Sequence, residues 1–190
     1  SLIEKFGEHN LAISNLLRVV YLVLSIPCWG FGTAINSIVS NTIGKGKERR
    51  VLKQVFHSSI VSLVFTSVFA IPTLLFANVI LEPLLGKADS SLFQDSIVYL
   101  HLLFPIILLY SVSTVFFNGV SGTGETIKCL QIQFISSLFY LGITYVSTIY
   151  PIELGLYVAW ASELVYWSIQ LVMSYLVLKS GSWNFIKFYF

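Results

Sequence analysis

Charge is scarce in this chain. Only 11% of its 190 residues are Asp, Glu, Lys or Arg, where a soluble domain carries about 25%. That deficit excludes a protein whose whole surface faces water. Cysteine is nearly absent: Cys28 and Cys129 stand alone, each in or beside an apolar run. This excludes a disulfide framework and a cysteine-based metal signature, and both are expected as small buried residues. Short alternating strands are missing, which excludes a lipid-spanning barrel built of ~10-residue segments. The opening SLIEKFGEHN lacks the basic start and short apolar core of a secretory signal. It begins with Ser, and the expectation is a piece of a longer protein. No Ser-His-Asp set, carboxylate pair, His-rich tract or phosphate-cradling Gly-rich loop is found. The Gly-x-Gly triplets at 30–32 and 122–124 lack a strand–turn–helix context. Enzyme chemistry, a resident metal or cofactor, and a nucleic-acid partner are therefore not expected.

What the chain has in abundance is apolar residues, 56% of the total, gathered in long runs. Runs of ~20 such residues cross a hydrocarbon layer of ~30 Å as helices. The expected fold is all-α, a polytopic transmembrane helix bundle. Five spans are read, at about 10–43, 53–80, 94–120, 127–149 and 154–178. Polar breaks separate them: GKGKERRVLK, EPLLGKADSSLFQD, SGTGETIK and the turn IYPIE.

Lys and Arg concentrate on the cytoplasmic side of membrane proteins. Sorting alternate loops puts Lys45, Lys47, Arg49, Arg50, Lys53, Lys128, Lys179 and Lys187 on one side and only Lys5 and Lys87 on the other. The second side also holds Glu4, Glu8, Glu82, Asp89, Asp95 and Glu153. The expected protein is a multi-pass component of the cell membrane. Its loops 44–53 and 121–128 and its C-terminus are expected in the cytoplasm.

Polar residues inside the spans fall in stripes. At helical spacing the first span presents Ser14, Arg18, Leu22, Ser25, Trp29, Gly32, Asn36 and Ser40. Such a face is unsuited to hydrocarbon, where a polar group needs a partner or water. It serves either helix–helix packing through small residues or the lining of a wet central cavity. Arg18 favours the cavity for at least part of the stripe, because an intramembrane charge usually faces the bundle interior. The last span matches it with Glu163, Trp167, Gln170 and Ser174. Arg18 and Glu163 lie ~12 Å and ~14 Å in from the same end, at 1.5 Å per residue. That depth permits a fixed ion pair, or a carboxylate that exchanges a proton for a cation. The fourth span carries Gln133, Ser137, Tyr140, Thr144 and Ser147, and the third carries Ser111, Thr114 and Asn118. His101 and Pro105 also lie in the third span, where Pro105 frees a backbone carbonyl.

The segment GFGTAINSIVSNTIGKGK before a basic helix start resembles the multidrug and toxic compound extrusion (MATE) family. So do FNGVSGTGET, WASELVYW and LKSGSW, in order and spacing over nearly all of residues 1–190. The resemblance implies a twelve-helix, two-lobe transporter working by alternating access. The five spans would be helices eight to twelve, the C-terminal lobe, with the N-terminal lobe of the same chain missing. It further implies exchange of Na⁺ or H⁺ against organic compounds. Where several members carry an acidic residue in helix ten, this chain has Tyr110. No Na⁺ site of that type is implied, and Glu163 is expected to do similar work from the last helix.

The leading expectation is an ion-coupled antiporter that exports drugs or other small organic compounds across the cytoplasmic membrane. Glu163 and Arg18 are its ion-coupling candidates; Asn36, Tyr110, Asn118, Tyr140 and Gln170 are its substrate-pathway candidates. A lipid-linked oligosaccharide flippase of related architecture is the alternative. It calls for a more cationic cavity than Arg18 alone supplies. A membrane-embedded enzyme and a purely structural bundle rank lower.

Overall fold

A computed structural model describes residues 7–76, 79, 90–147, 149, 152–181 and 183. Five helices make up the fold: α1 (Gly7–Gly44), α2 (Val51–Leu75), α3 (Ser90–Gly122), α4 (Thr126–Ser147) and α5 (Ile152–Ser180). All five are long and apolar enough to cross a membrane. No strand occurs among the described residues. Lys5, Lys87, Lys187, Glu4, Glu82 and Asp89 lie outside them, as do 184–190 of the tail, so sidedness stands as an expectation from charge.

The 38 residues of α1 extend ~57 Å at 1.5 Å per residue, well beyond the ~30 Å hydrocarbon layer. The end of α1 explains the GKGK punctuation. Gly46 adopts φ 69, the left-handed conformation that glycine reaches without a Cβ penalty. Its N–H donates to Ile43 O at 2.8 Å, and the Lys47 N–H donates to Thr42 O at 3.0 Å. Those two bonds satisfy the last carbonyls in a Schellman motif. A turn of 3₁₀ helix, Glu48–Arg50, then leads directly into α2. The second helix closes at Leu75, short of the expected boundary near 80. Pro27, Pro72 and Pro105 all sit inside helices, each leaving the carbonyl four residues earlier without its helical donor.

The bundle is organised around α3. It packs along α1, α2 and α5, and α4 attaches chiefly through α5. Accordingly α3 is the most buried of the five, burying polar Ser111, Ser113 and Thr114 along with its apolar residues. On α2 and α4 the buried stripe includes small and polar side chains, while many large apolar ones turn outward. On α2 the buried residues are Val51, Val55, Ser59, Ser62, Thr66 and Ala70, at helical spacing, while Phe56, Ile60, Val64 and Val68 are exposed. On α4, Ser136, Thr144 and Ser147 are buried and Leu130, Phe134, Leu138 and Leu141 are exposed. Water would drive the opposite arrangement; a lipid environment removes that drive and leaves close packing and interhelical hydrogen bonds to join the helices.

Two buried apolar clusters fill the bundle. One joins Leu17, Leu24, Cys28, Leu103, Ile107 and Tyr110. The other, toward the Lys/Arg-rich end, joins Val39, Val51, Val55, Val115, Val120 and Ile132. Cross-helix polar contacts pin the register. Cys28 Sγ lies 3.3 Å from Thr66 Oγ1 between α1 and α2. Thr144 Oγ1 lies 3.2 Å from Ser162 Oγ between α4 and α5.

Candidate functional site

The stripe on α1 meets different surroundings along its length. Its second half lies against α3. Asn36 Nδ2 donates to Ser121 Oγ at 3.1 Å, and Ser40 Oγ donates to Gly122 O at 2.9 Å. At Gly122 the helices approach so closely that a Cβ there would lie 2.6 Å from Asn36 O. Asn118 is half-buried on α3 and donates to its own Thr114 O at 2.9 Å. Asn36 and Asn118 are thus engaged at an α1–α3 seam, away from the cavity described next. In this half of α1, helix packing accounts for the polar face.

The first half of α1 lies differently. Both α1 and α4 pack toward the α3–α5 pair but make no extended contact with each other. Between them opens a cavity of about 310 Å³, lined by Ser14, Arg18, Tyr21 and Leu22 of α1, Tyr140 and Thr144 of α4, and Ala159, Trp160 and Glu163 of α5. It sits away from the basic turn, near the start of α1, the end of α4 and the start of α5. Arg18, Tyr140 and Glu163 share it, although they come from three helices.

Glu163 is half-buried, and its Oε2 accepts a hydrogen bond from Trp167 Nε1 at 2.9 Å, one turn along α5. Trp167 is held edge-on by Tyr110 (ring centroids 4.5 Å apart, 71°) and by Tyr166 (4.6 Å, 88°). The ring contacts continue to Tyr21, 5.6 Å from Tyr110, and to Tyr140, 6.1 Å from Tyr166. The two edge-on contacts of Trp167 each add about 0.5–1.5 kcal/mol beyond area burial, and they hold the indole that donates to the carboxylate. Arg18 is exposed. It makes no ion pair within 4.0 Å with Glu163, so the two charges face one space without neutralising each other directly.

The wall of the cavity carries unused polar atoms. Ser14 Oγ, Tyr21 Oη and Trp160 Nε1 are buried without a hydrogen-bond partner, and all three residues line the cavity. Leaving such a group unpaired costs about 1–3 kcal/mol. Three of them converging beside one carboxylate and one guanidinium form a surface suited to a polar ligand. Tyr110 stands behind this wall, and Gln170 lies further along α5. Tyr110 is buried between Tyr21 and Trp167. Gln170 is buried on α5, three residues beyond Trp167, with its Oε1 unpartnered.

Sequence periodicity alone did not single out Tyr21, Trp160 or Tyr166. The first two were nonetheless within reach: Tyr21 follows Arg18 by three positions and Trp160 precedes Glu163 by three, the spacing that places side chains on one helix face. Ser25, on the same stripe, donates to Leu22 O of its own helix at 2.8 Å. His101 is exposed and lies 2.7 Å from Ile97 O through Nδ1, outside the cavity. No group of three His, Cys, Asp or Glu that could hold a metal ion occurs among the described residues.

Among known proteins, the family model MatE matches residues 1–146. No curated protein matches, and no solved structure matches. Five helices of membrane-spanning length accompany a family match over most of the chain: the protein belongs to the MatE family and is a multi-pass membrane protein of a transporter type.

Proposed function

We propose that this chain serves an ion-coupled antiporter exporting organic compounds across the cytoplasmic membrane by alternating access, with Na⁺ or H⁺ as the driving ion. In this reading the five helices are helices eight to twelve of a twelve-helix, two-lobe transporter, and the basic turns face the cytoplasm. The observation that carries it is Glu163, held by Trp167 in a cavity shared with Arg18, Tyr140 and three unpartnered polar groups. At about 310 Å³ the cavity is at the lower end of ligand pockets, ~300–1,000 Å³. It suits an ion with its water, or one part of a larger compound whose remainder lies toward the facing lobe.

Glu163 has two chemical states to offer. As a carboxylate it accepts the Trp167 N–H and balances Arg18 across the cavity. With a proton or a cation on it, that balance shifts toward net positive. An ion that binds the two conformations unequally changes their populations by that difference in affinity and no more. Moving a 1:99 equilibrium to 99:1 takes about 5.5 kcal/mol of differential binding. A half-buried carboxylate facing a guanidinium is a place where such a difference can arise.

The test is transport by a Glu163→Gln variant across a range of pH and Na⁺ concentration. The expected result is export that has lost its dependence on the driving ion while the protein is still present in the membrane. Unchanged transport with unchanged ion dependence removes Glu163 from the coupling.

A further inference from the structure

A second site stands at the opposite end of the bundle. A groove of about 700 Å³ opens where α1 meets the start of α2, lined by Ile38, Arg50, Lys53, Gln54, His57 and Ser58. Arg50, Lys53 and His57 are exposed and recur at i, i+3 and i+7, so they present donors from one helix face. Among the described residues no acidic side chain lines the groove, and neither Arg50 nor Lys53 makes an ion pair. Gln54 is oriented by its neighbour: Thr42 Oγ1 donates to Gln54 Oε1 at 2.8 Å, which leaves the amide NH₂ as a further donor. The lining is therefore rich in N–H groups and suited to an anion with several oxygens.

The same stripe then changes character. Following Lys53 and His57 at helical spacing come Ile60, Val64 and Val68, all exposed, and Ile38 adds an apolar contribution from α1. A cationic head thus sits directly above an outward apolar track on a helix of membrane-spanning length. A free phosphate would use the head and leave the track without a role. A glycerophospholipid would use both.

We propose that this groove binds the phosphodiester headgroup of an anionic phospholipid, with an acyl chain lying along Ile60, Val64 and Val68 of α2. Arg50 supplies a fork of donors matched to phosphate oxygens. Lys53 adds a point charge, His57 a ring nitrogen, and Gln54 the amide. Zwitterionic lipids carry a cation of their own on the headgroup, which this donor set repels.

The experiment is native mass spectrometry of the full chain titrated separately with phosphatidylglycerol, phosphatidylcholine and inorganic phosphate. Phosphatidylglycerol is expected to be retained in preference to phosphatidylcholine, and an excess of inorganic phosphate is expected not to displace it. Removing two juxtamembrane basic groups weakens anionic-lipid binding by about 30-fold. That is the loss expected for Arg50→Gln with Lys53→Gln, while Lys53→Arg keeps the binding. If the double variant does not fold, Lys53→Gln alone is expected to lose about fivefold. Equal retention of both lipids, displacement by inorganic phosphate, or full binding after loss of the basic groups each overturns the proposal.

Discussion

Replacing Gly122 by Ala adds one methyl group at the closest approach of α1 and α3. The new Cβ would stand 2.6 Å from Asn36 O and 2.9 Å from Val39 Cβ. Ordinary contact begins at 3.4 Å, so the α1 backbone must retreat by about 0.8 Å, well beyond what a side-chain rotation absorbs in a close-packed interior. The retreat also stretches two bonds across the seam, Ser40 Oγ to Gly122 O and Asn36 Nδ2 to Ser121 Oγ. Overpacking of this kind costs about 1–3 kcal/mol. For a chain of this size that lowers the thermal midpoint by roughly 2–12 °C. The assay is thermal unfolding of the purified protein in detergent, followed by loss of the monodisperse species. Gly30→Ala is the internal comparison: a Cβ there meets nothing within 4 Å, and Ala is the better helix former, so its midpoint holds or rises. A Gly122→Ala protein as stable as the parent would refute the close α1–α3 seam and, with it, the assignment of Asn36 to packing.

Gly46→Ala is expected to destabilise through the backbone alone, by about 1–2 kcal/mol, because Gly46 is left-handed and a Cβ there meets no neighbour. A thermal midpoint within error of the parent would contradict the Schellman ending of α1. Tyr21→Phe removes a buried hydroxyl that has no partner and keeps the ring against Tyr110. Stability is expected to hold or improve, by up to about 1–3 kcal/mol, while transport falls; a thermal midpoint below the parent's, or transport equal to it, counts against a ligand-facing role for that hydroxyl.

The spans were legible because apolar runs of membrane length leave little choice of structure. The turn after α1 was legible in GKGK, where only glycine takes the left-handed position without strain. Polar stripes were legible as faces, but a face does not name its neighbour. On the 38 residues of α1 one stripe begins beside the cavity shared with α4 and α5 and ends against α3. Periodicity assigns Arg18 and Asn36 to the same side; only the packing separates a cavity from a seam. Tyr21 and Trp160 were not legible as site residues because an aromatic residue in a membrane helix is as compatible with lipid as with a binding wall. Their relation to Arg18 and Glu163 across α1 and α5 depends on tertiary structure.

In the proposed transporter, Arg18 and Glu163 act on one shared space although they are not paired. A double-mutant cycle on transport rate tests it directly, using Arg18→Gln, Glu163→Gln and the two together, with Asn36→Ala and Glu163→Gln as the comparison pair. The prediction is a coupling above about 0.5 kcal/mol for Arg18 with Glu163 and additivity within that margin for Asn36 with Glu163. Additive effects of Arg18 and Glu163, with coupling instead to Asn36, would contradict the cavity as the working centre of this protein.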